Sequence, residues 1–151
     1  MNAELTRKED LDLPTSFCEV LTTWGWWDRP RAGVTLIEGR PHRFICSFDD
    51  GLDEYPDEYR LWPISAEQLD ADLAFWRIWT EWRGKFDPGA RPAPFEQHPD
   101  YPRLKVAMEE YQQAPPAGAL VAVPEWRLDP NRSFAGRVPR HRVRWTGPIG
   151  S

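Results

Sequence analysis

Apolar and polar positions change period several times along this chain, and each change predicts an element. From residue 66 to about 83 the apolar residues recur at helical spacing. Leu69, Leu73 and Trp76 lead the row, continued by Trp79 or Thr80 and by Trp82 or Arg83. Phe75 and Ile78 widen the stripe. Such breadth predicts burial against both a sheet and a second element, or against a partner subunit. Ser65 stands just before the row and Gln68 three residues later, the spacing of a capping box, with Glu67 in the favourable first turn. Gly84 and Asp87-Pro88-Gly89 predict its end.

Elsewhere the period is two. Residues 33–48, GVTLIEGRPHRFICSF, predict a β-hairpin. A two-residue loop at Gly39-Arg40 would pair Leu36 with Arg43. A three-residue loop, Gly39-Arg40-Pro41, pairs Leu36 with Phe44 and Val34 with Cys46 and gathers the apolar side chains on one face, so that register is expected. It sets Glu38 opposite His42. Residues 59–63, YRLWP, predict a third short strand. Residues 119–127 predict a fourth, and 140–145, RHRVRW, a last one. Asp100 is placed to cap a second helix over about 101–113, with Leu104, Met108 and Tyr111 on one face and Pro102 in the tolerant first turn. Residues 14–23 fit a short helix and an extended segment equally. The expected fold is one α+β domain over 1–151: an antiparallel sheet of four to five strands packed against two helices, behind a charged lead-in at 1–13.

Composition supports a folded chain. Of 151 residues, 40% are hydrophobic and 28% charged, which is not a disordered balance. Sixteen prolines predict long irregular connections. The net charge of −5 argues against general nucleic-acid binding, which wants a basic face. The charge is unevenly spread: 20 acids and 11 Lys and Arg in 1–100, against 4 and 8 in 101–151. The two parts either attract each other within one fold or leave a basic tail for an acidic partner. The start, MNAELTRKEDLD, lacks the apolar core of an export signal. No apolar run approaches the roughly 20 residues that cross a bilayer. A cytoplasmic protein with no membrane contact is expected, with Cys18 and Cys46 open to a disulfide on count but Cys46 better read as a buried thiol.

Familiar chemistry is largely excluded. The three histidines, His42, His98 and His141, form no i,i+4 pair, and there is no CxxC, so no metal site is expected. The acidic loop 49–58 resembles a calcium loop only in composition: counted from Asp49, the sixth position is Glu54 rather than glycine and the twelfth is Arg60 rather than glutamate. Phosphate-loop, dinucleotide and GxSxG patterns are missing, and no cofactor is implied. His42 and Cys46 share a strand face but stand roughly 13 Å apart along it, too far for a thiolate–imidazole pair. Asp70 and Asp72 diverge on their helix.

Two regions remain as binding candidates. In TTWGWWDRPRAGV, Trp24 and Trp26 share parity and point to the core, while Trp27 lies with Asp28, Arg29 and Arg31 near the outer edge of the hairpin. Tryptophan and arginine are enriched in interaction hot spots; the rival reading is a turn that fixes entry to the strand. In RHRVRW, Arg140, Arg142 and Arg144 alternate with His141, Val143 and Trp145. A charged edge strand explains that alternation. The rival is an anion or RNA surface with Trp145 as a stacking platform. The preferred function is a small non-catalytic interaction protein whose partner is another protein or a second copy of itself. The alternative is an enzyme or small-ligand-binding protein, with a pocket near the hairpin and the acidic loop around His42, Asp49 and Tyr55.

The segments WWDRPRAGV, GRPHRFICSFDD and YRLWPISAEQL, with QHPDYPRL, resemble a group of uncharacterised bacterial proteins over about residues 24–113. The resemblance carries no activity. It implies only that the hairpin and the aromatic helix belong together.

Overall fold

The computed structural model describes residues 16–24, 29–56, 58–84, 93–111, 115–134 and 138–147. In chain order the elements are β1 (Cys18–Trp24), β2 (Ala32–Ile37), β3 (Arg40–Ile45), β4 (Tyr59–Pro63), α1 (Ala66–Gly84), a 3-10 turn (Phe95–Gln97), α2 (Tyr101–Tyr111), β5 (Leu120–Phe134) and β6 (Val138–Thr146). They form two compact units. One holds the described residues up to Ile64, then Pro115–Arg127 and those from His141 onward. The other holds Ser65–Ala114 and Leu128–Arg140, as far as these are described.

The six strands close into an antiparallel barrel in chain order. This overturns the expected open sheet of four to five strands packed against helices. The difference lies in β1, where the alternation of CEVLTTW is carried by threonine as much as by aliphatics. Cys18, Val20 and Thr22 are buried in alternation. β1 pairs with β2 from Val20↔Thr35 to Trp24↔Ala32, through a bulge between Val20 and Thr22. It also pairs with β6 at Cys18↔Val143 and Glu19↔Arg142. A strand bonded on both sides removes the edges that an open sheet would expose. The apolar face is then covered by the barrel's own strands.

The β2–β3 hairpin takes neither register considered from the sequence. Its loop is Glu38-Gly39, and Ile37 faces Arg40, Thr35 faces His42, Val34 faces Arg43 and Gly33 faces Phe44. Both loop residues have positive φ, 52° and 77°, as a two-residue hairpin turn of the right twist requires. The sequence argument matched large with large. The structure matches large with nothing: a Cβ on Gly33 would lie 2.8 Å from the Phe44 ring and 2.1 Å from the Thr22 carbonyl oxygen. Phe44 therefore folds across the glycine into the barrel.

That interior is aromatic. Phe44, Tyr59 and Trp145 are nearly or fully buried, and Trp126 packs against them. Their ring centroids lie between 5.5 Å (Tyr59–Trp145) and 6.1 Å (Phe44–Tyr59), in tilted and edge-on arrangements that favour aromatic pairs. Val20, Leu61, Ala122 and Val143 fill the remainder. Ala122 sits opposite Tyr59 across β4–β5, again small against large.

In the second unit the capping box forms as expected. The Ser65 amide donates to Gln68 Oε1 at 2.9 Å and the Gln68 amide donates to Ser65 Oγ at 3.2 Å. α1 and α2 pack together, with Trp76 and Ile78 of the first and Leu104 and Met108 of the second buried. Asp70 is exposed and Asp72 wholly buried, so the two do diverge.

Candidate functional site

The residues singled out from sequence do not gather at one place. Trp27 and Asp28 lie outside the described residues, as do the lead-in at 1–13 and the helix-ending Asp87-Pro88-Gly89. Arg29 is half-buried. Arg31 is 7% exposed and turned inward. Its Nη1 donates to Tyr59 Oη at 3.3 Å and to Cys46 Sγ at 3.7 Å, and its guanidinium lies 4.4 Å from the centre of the Tyr55 ring. Tyr59 Oη donates to the Pro30 carbonyl at 2.7 Å, and the Cys46 thiol to the Pro56 carbonyl at 2.9 Å. These bonds tie the segments before β2 and before β4 to the end of β3. Burial, only partly offset by the Arg31 charge, pushes the Tyr59 phenol up to about 12. The arrangement anchors the chain.

The alternative pocket is likewise divided. His42 stands beside the hairpin turn, its Nδ1 2.8 Å from the Arg40 carbonyl, and burial holds its imidazole below the usual histidine value. Asp49 and Tyr55 lie beyond the other end of β3. Asp49 Oδ1 accepts from the Gly51 and Leu52 amides at 2.9 and 3.1 Å, which makes it the cap of a tight turn closed by the Asp49–Glu54 bridge. Tyr55 is sandwiched between Arg31 and the edge-on ring of Phe48.

β6 keeps the alternation expected of it. His141, Val143 and Trp145 are buried while Arg142 and Arg144 are half-exposed. The side chain of Arg140 lies outside those described. The edge-strand account is replaced, because β6 is bonded into a closed barrel. Trp145, 1% exposed, is a core residue and offers no stacking platform. Arg144 forms an ion pair with Glu125 and, with Arg127, flanks the Phe17 ring, their guanidinium carbons 5.3 and 4.1 Å from its centre.

A concave site is present elsewhere, within the second unit. A groove of 370 Å³ runs between the C-terminal half of α1 and the segment 93–99. Ile78, Glu81 and Trp82 form one wall, and Pro94, Phe95, Gln97 and His98 supply much of the other. The local sequence explains its shape. Ile78 and Trp82 are one helical turn apart and share a face. Pro94 and Pro99 bracket the 3-10 turn, whose bonds run from the Gln97 amide to Pro94 and from the His98 amide to Phe95. Trp82 Nε1 donates to the Ala93 carbonyl at 2.6 Å, which fixes the indole against the opposite wall. Phe95 meets Trp82 at 5.7 Å, Phe75 at 5.5 Å and Tyr101 edge-on at 5.2 Å. The Asp100 amide donates to His98 Nδ1 at 3.0 Å, so the ring's proton sits on Nε2. The sequence analysis placed no element between the end of the aromatic helix and Asp100, and it missed Glu81, Phe95, Gln97 and His98 as a set. The available signal was PFEQHP, an aromatic and three polar residues hemmed by prolines.

Among the described residues no group of three His, Cys, Asp or Glu side chains is placed to hold a metal ion, and no helix is long and apolar enough to cross a membrane. Both cysteines are buried and neither forms a disulfide. Comparison with protein-family models, with curated proteins and with solved structures found no match to this chain.

Proposed function

We propose that this protein binds a small ligand, and that the ligand seats in the groove between α1 and residues 93–99. The observation that carries this reading is the groove itself: 370 Å³, within the roughly 300–1,000 Å³ of small-molecule sites, with aromatic walls and a few polar groups. Its walls are held before any ligand arrives, by the Trp82–Ala93 hydrogen bond and the Phe75–Phe95–Tyr101 ring contacts. A preformed site spends less of its binding energy on ordering side chains. The site differs from the one expected near the hairpin and acidic loop, where Arg31, Asp49 and Tyr55 hold the chain together. Two buried cysteines outside any disulfide suit a reducing compartment such as the cytoplasm.

The test is a fragment screen followed by protein-detected NMR, reading the indole N–H of Trp82 and the amides of 93–98. Hits that shift these signals together, and that weaken in Trp82→Leu, support the reading. Hits that scatter over the barrel, or none at all, refute it.

A second reading, interaction with another protein, is supported by Phe48 and Leu52, 44% and 61% exposed at the tight acidic loop. It is favoured if Phe48→Ser with Leu52→Ser releases a co-purifying protein that Trp82→Leu retains.

A further inference from the structure

We infer that the turn after β3, residues 48–54, is a docking surface for a basic protein segment, one that sets lysine or arginine around an apolar side chain. This rests on the second reading above, interaction with another protein through Phe48 and Leu52, and it adds the chemistry of the partner. Three observations point the same way. The first is the apolar pair. Among the described residues four large hydrophobic side chains are exposed, and two of them, Phe48 at 44% and Leu52 at 61%, fall on this one turn. Single exposed apolar residues are ordinary, whereas two on one turn mark a contact surface.

The second observation is the charge around that pair. From Phe48 to Glu58 the sequence carries six acids and no lysine or arginine. Asp50, Asp53, Glu54 and Glu58 are exposed. Among the described residues no three of these carboxylates are placed to hold a metal ion, so their charge is spread over the turn. Basic side chains flanking an apolar one match that layout. An acidic segment would be repelled, and a purely apolar one would cover carboxylates without pairing them. The third observation is that the surface is formed in advance. The Asp49 amide donates to the Glu54 carbonyl at 2.8 Å and the Glu54 amide to the Asp49 carbonyl at 3.3 Å. Asp49 Oδ1 accepts from the Gly51 and Leu52 amides. The Phe48 ring stands edge-on to Tyr55 at 5.1 Å, and Tyr55 is braced by the inward-turned Arg31. A partner therefore meets a turn that needs little further ordering.

The experiment uses the full chain and three short synthetic peptides of one pattern. Phenylalanine and leucine hold fixed positions, and the remaining positions are all lysine, all glutamine or all glutamate. Each is titrated while the amides of 48–55 are followed by NMR. The lysine peptide should bind about tenfold tighter than the glutamine peptide, the combined effect of several exposed ion pairs, and the glutamate peptide should not saturate. Added salt should weaken the lysine peptide alone. Asp50→Asn with Asp53→Asn should bring it down to the glutamine peptide; asparagine accepts the positive φ of 54° at position 53, so the turn is kept. Phe48→Ser with Leu52→Ser should abolish binding of both peptides, while unshifted amides in the barrel strands show that the variant is folded. Equal binding of the lysine and glutamine peptides overturns the inference and leaves the interaction reading standing. Lysine-peptide binding that survives the double serine variant also overturns it, because charge alone then explains the attraction. So does self-association that is lost in that variant, which makes a second copy of the chain the occupant. If no peptide moves 48–55 although the serine variant releases a co-purifying protein, the inference falls alone. If that variant releases none, both readings fall.

Discussion

At Gly33 the absence of one carbon decides the register of a hairpin. The Phe44 ring and the Thr22 carbonyl occupy the space a side chain would need, and the residue's φ of 156° adds to the demand for glycine. Gly33→Ala should therefore cost about 3 kcal/mol or more, because backbone as well as ring must move. Gly118→Ala is the control, since nothing lies within 4 Å of its added carbon, and it should be close to neutral. Urea midpoints of the two variants check this. Tyr59 makes a second prediction at the same scale. Tyr59→Phe removes the donor to Pro30 and leaves that buried carbonyl and the Arg31 guanidinium each short of a partner, which should cost about 1–3 kcal/mol. The phenol's folded value, about 12, lies above its ordinary 10. Protonated tyrosine thus favours the folded chain fully below 10, and that contribution is lost as pH rises from 10 to about 12. A tyrosinate absorbance titration should lose its last step in Tyr59→Phe.

Among the elements, α1 begins where its cap says it must. Ser65→Ala breaks one arm of the reciprocal bond with Gln68 and should cost about 0.5–2 kcal/mol, with amide exchange accelerated first in residues 66–69. If exchange there is unchanged, the cap contributes nothing to the helix start. This element was legible because its signals are local: the cap, the first-turn Glu67 and the apolar stripe all act within a few residues of each other. β4 was legible for a similar reason, as YRLWP alternates cleanly and its expected bounds, 59–63, are those found. β1 was not legible. Thr22 is fully buried, and no propensity rule places a threonine inside a barrel before the neighbouring strands are known. β5 was expected to stop near 127 but runs to Phe134, through a proline and several polar residues that weaken the alternation.

At the scale of the whole molecule the barrel's aromatic interior sets an acid limit. His141 is buried in β6, edge-on to Trp126 at 6.1 Å, and burial lowers its tendency to take a proton. The sign follows from linkage. The unfolded chain protonates His141 near 6.5, while the folded chain resists until lower pH. Stability is therefore full above that value and falls as pH drops below it. His42, held low by its own burial, adds to the same fall. His141→Gln should flatten part of the decline in urea midpoint between about pH 7 and about pH 5. An unchanged decline would show that the proton is taken up elsewhere. Trp145 gives the matching core prediction: Trp145→Ala empties a site that is 1% exposed and should cost about 3–5 kcal/mol by urea unfolding.

By itself the sequence determined the elements whose causes are local. These are the capped aromatic helix, the second helix with Leu104 and Met108 on its buried face, the short strand 59–63, and the inside–outside alternation of RHRVRW. It also ruled out an open Walker loop, a histidine-pair metal site and a nucleophile elbow, because those need residue types at spacings the chain does not have. Only the tertiary structure decided closure, register and site. Closure depends on β1 finding both β2 and β6, which lie far apart in sequence. Register depends on Phe44 finding the one position in β2 without a side chain. The direction of Arg31, inward to Tyr59 and Cys46, depends on partners 15 and 28 residues away. The groove depends on Trp82 reaching the Ala93 carbonyl across a prolyl segment that periodicity reads as loop. In each case the deciding contact joins residues beyond the reach of a helical turn or a strand repeat, and patterns of that length are all that periodicity can report.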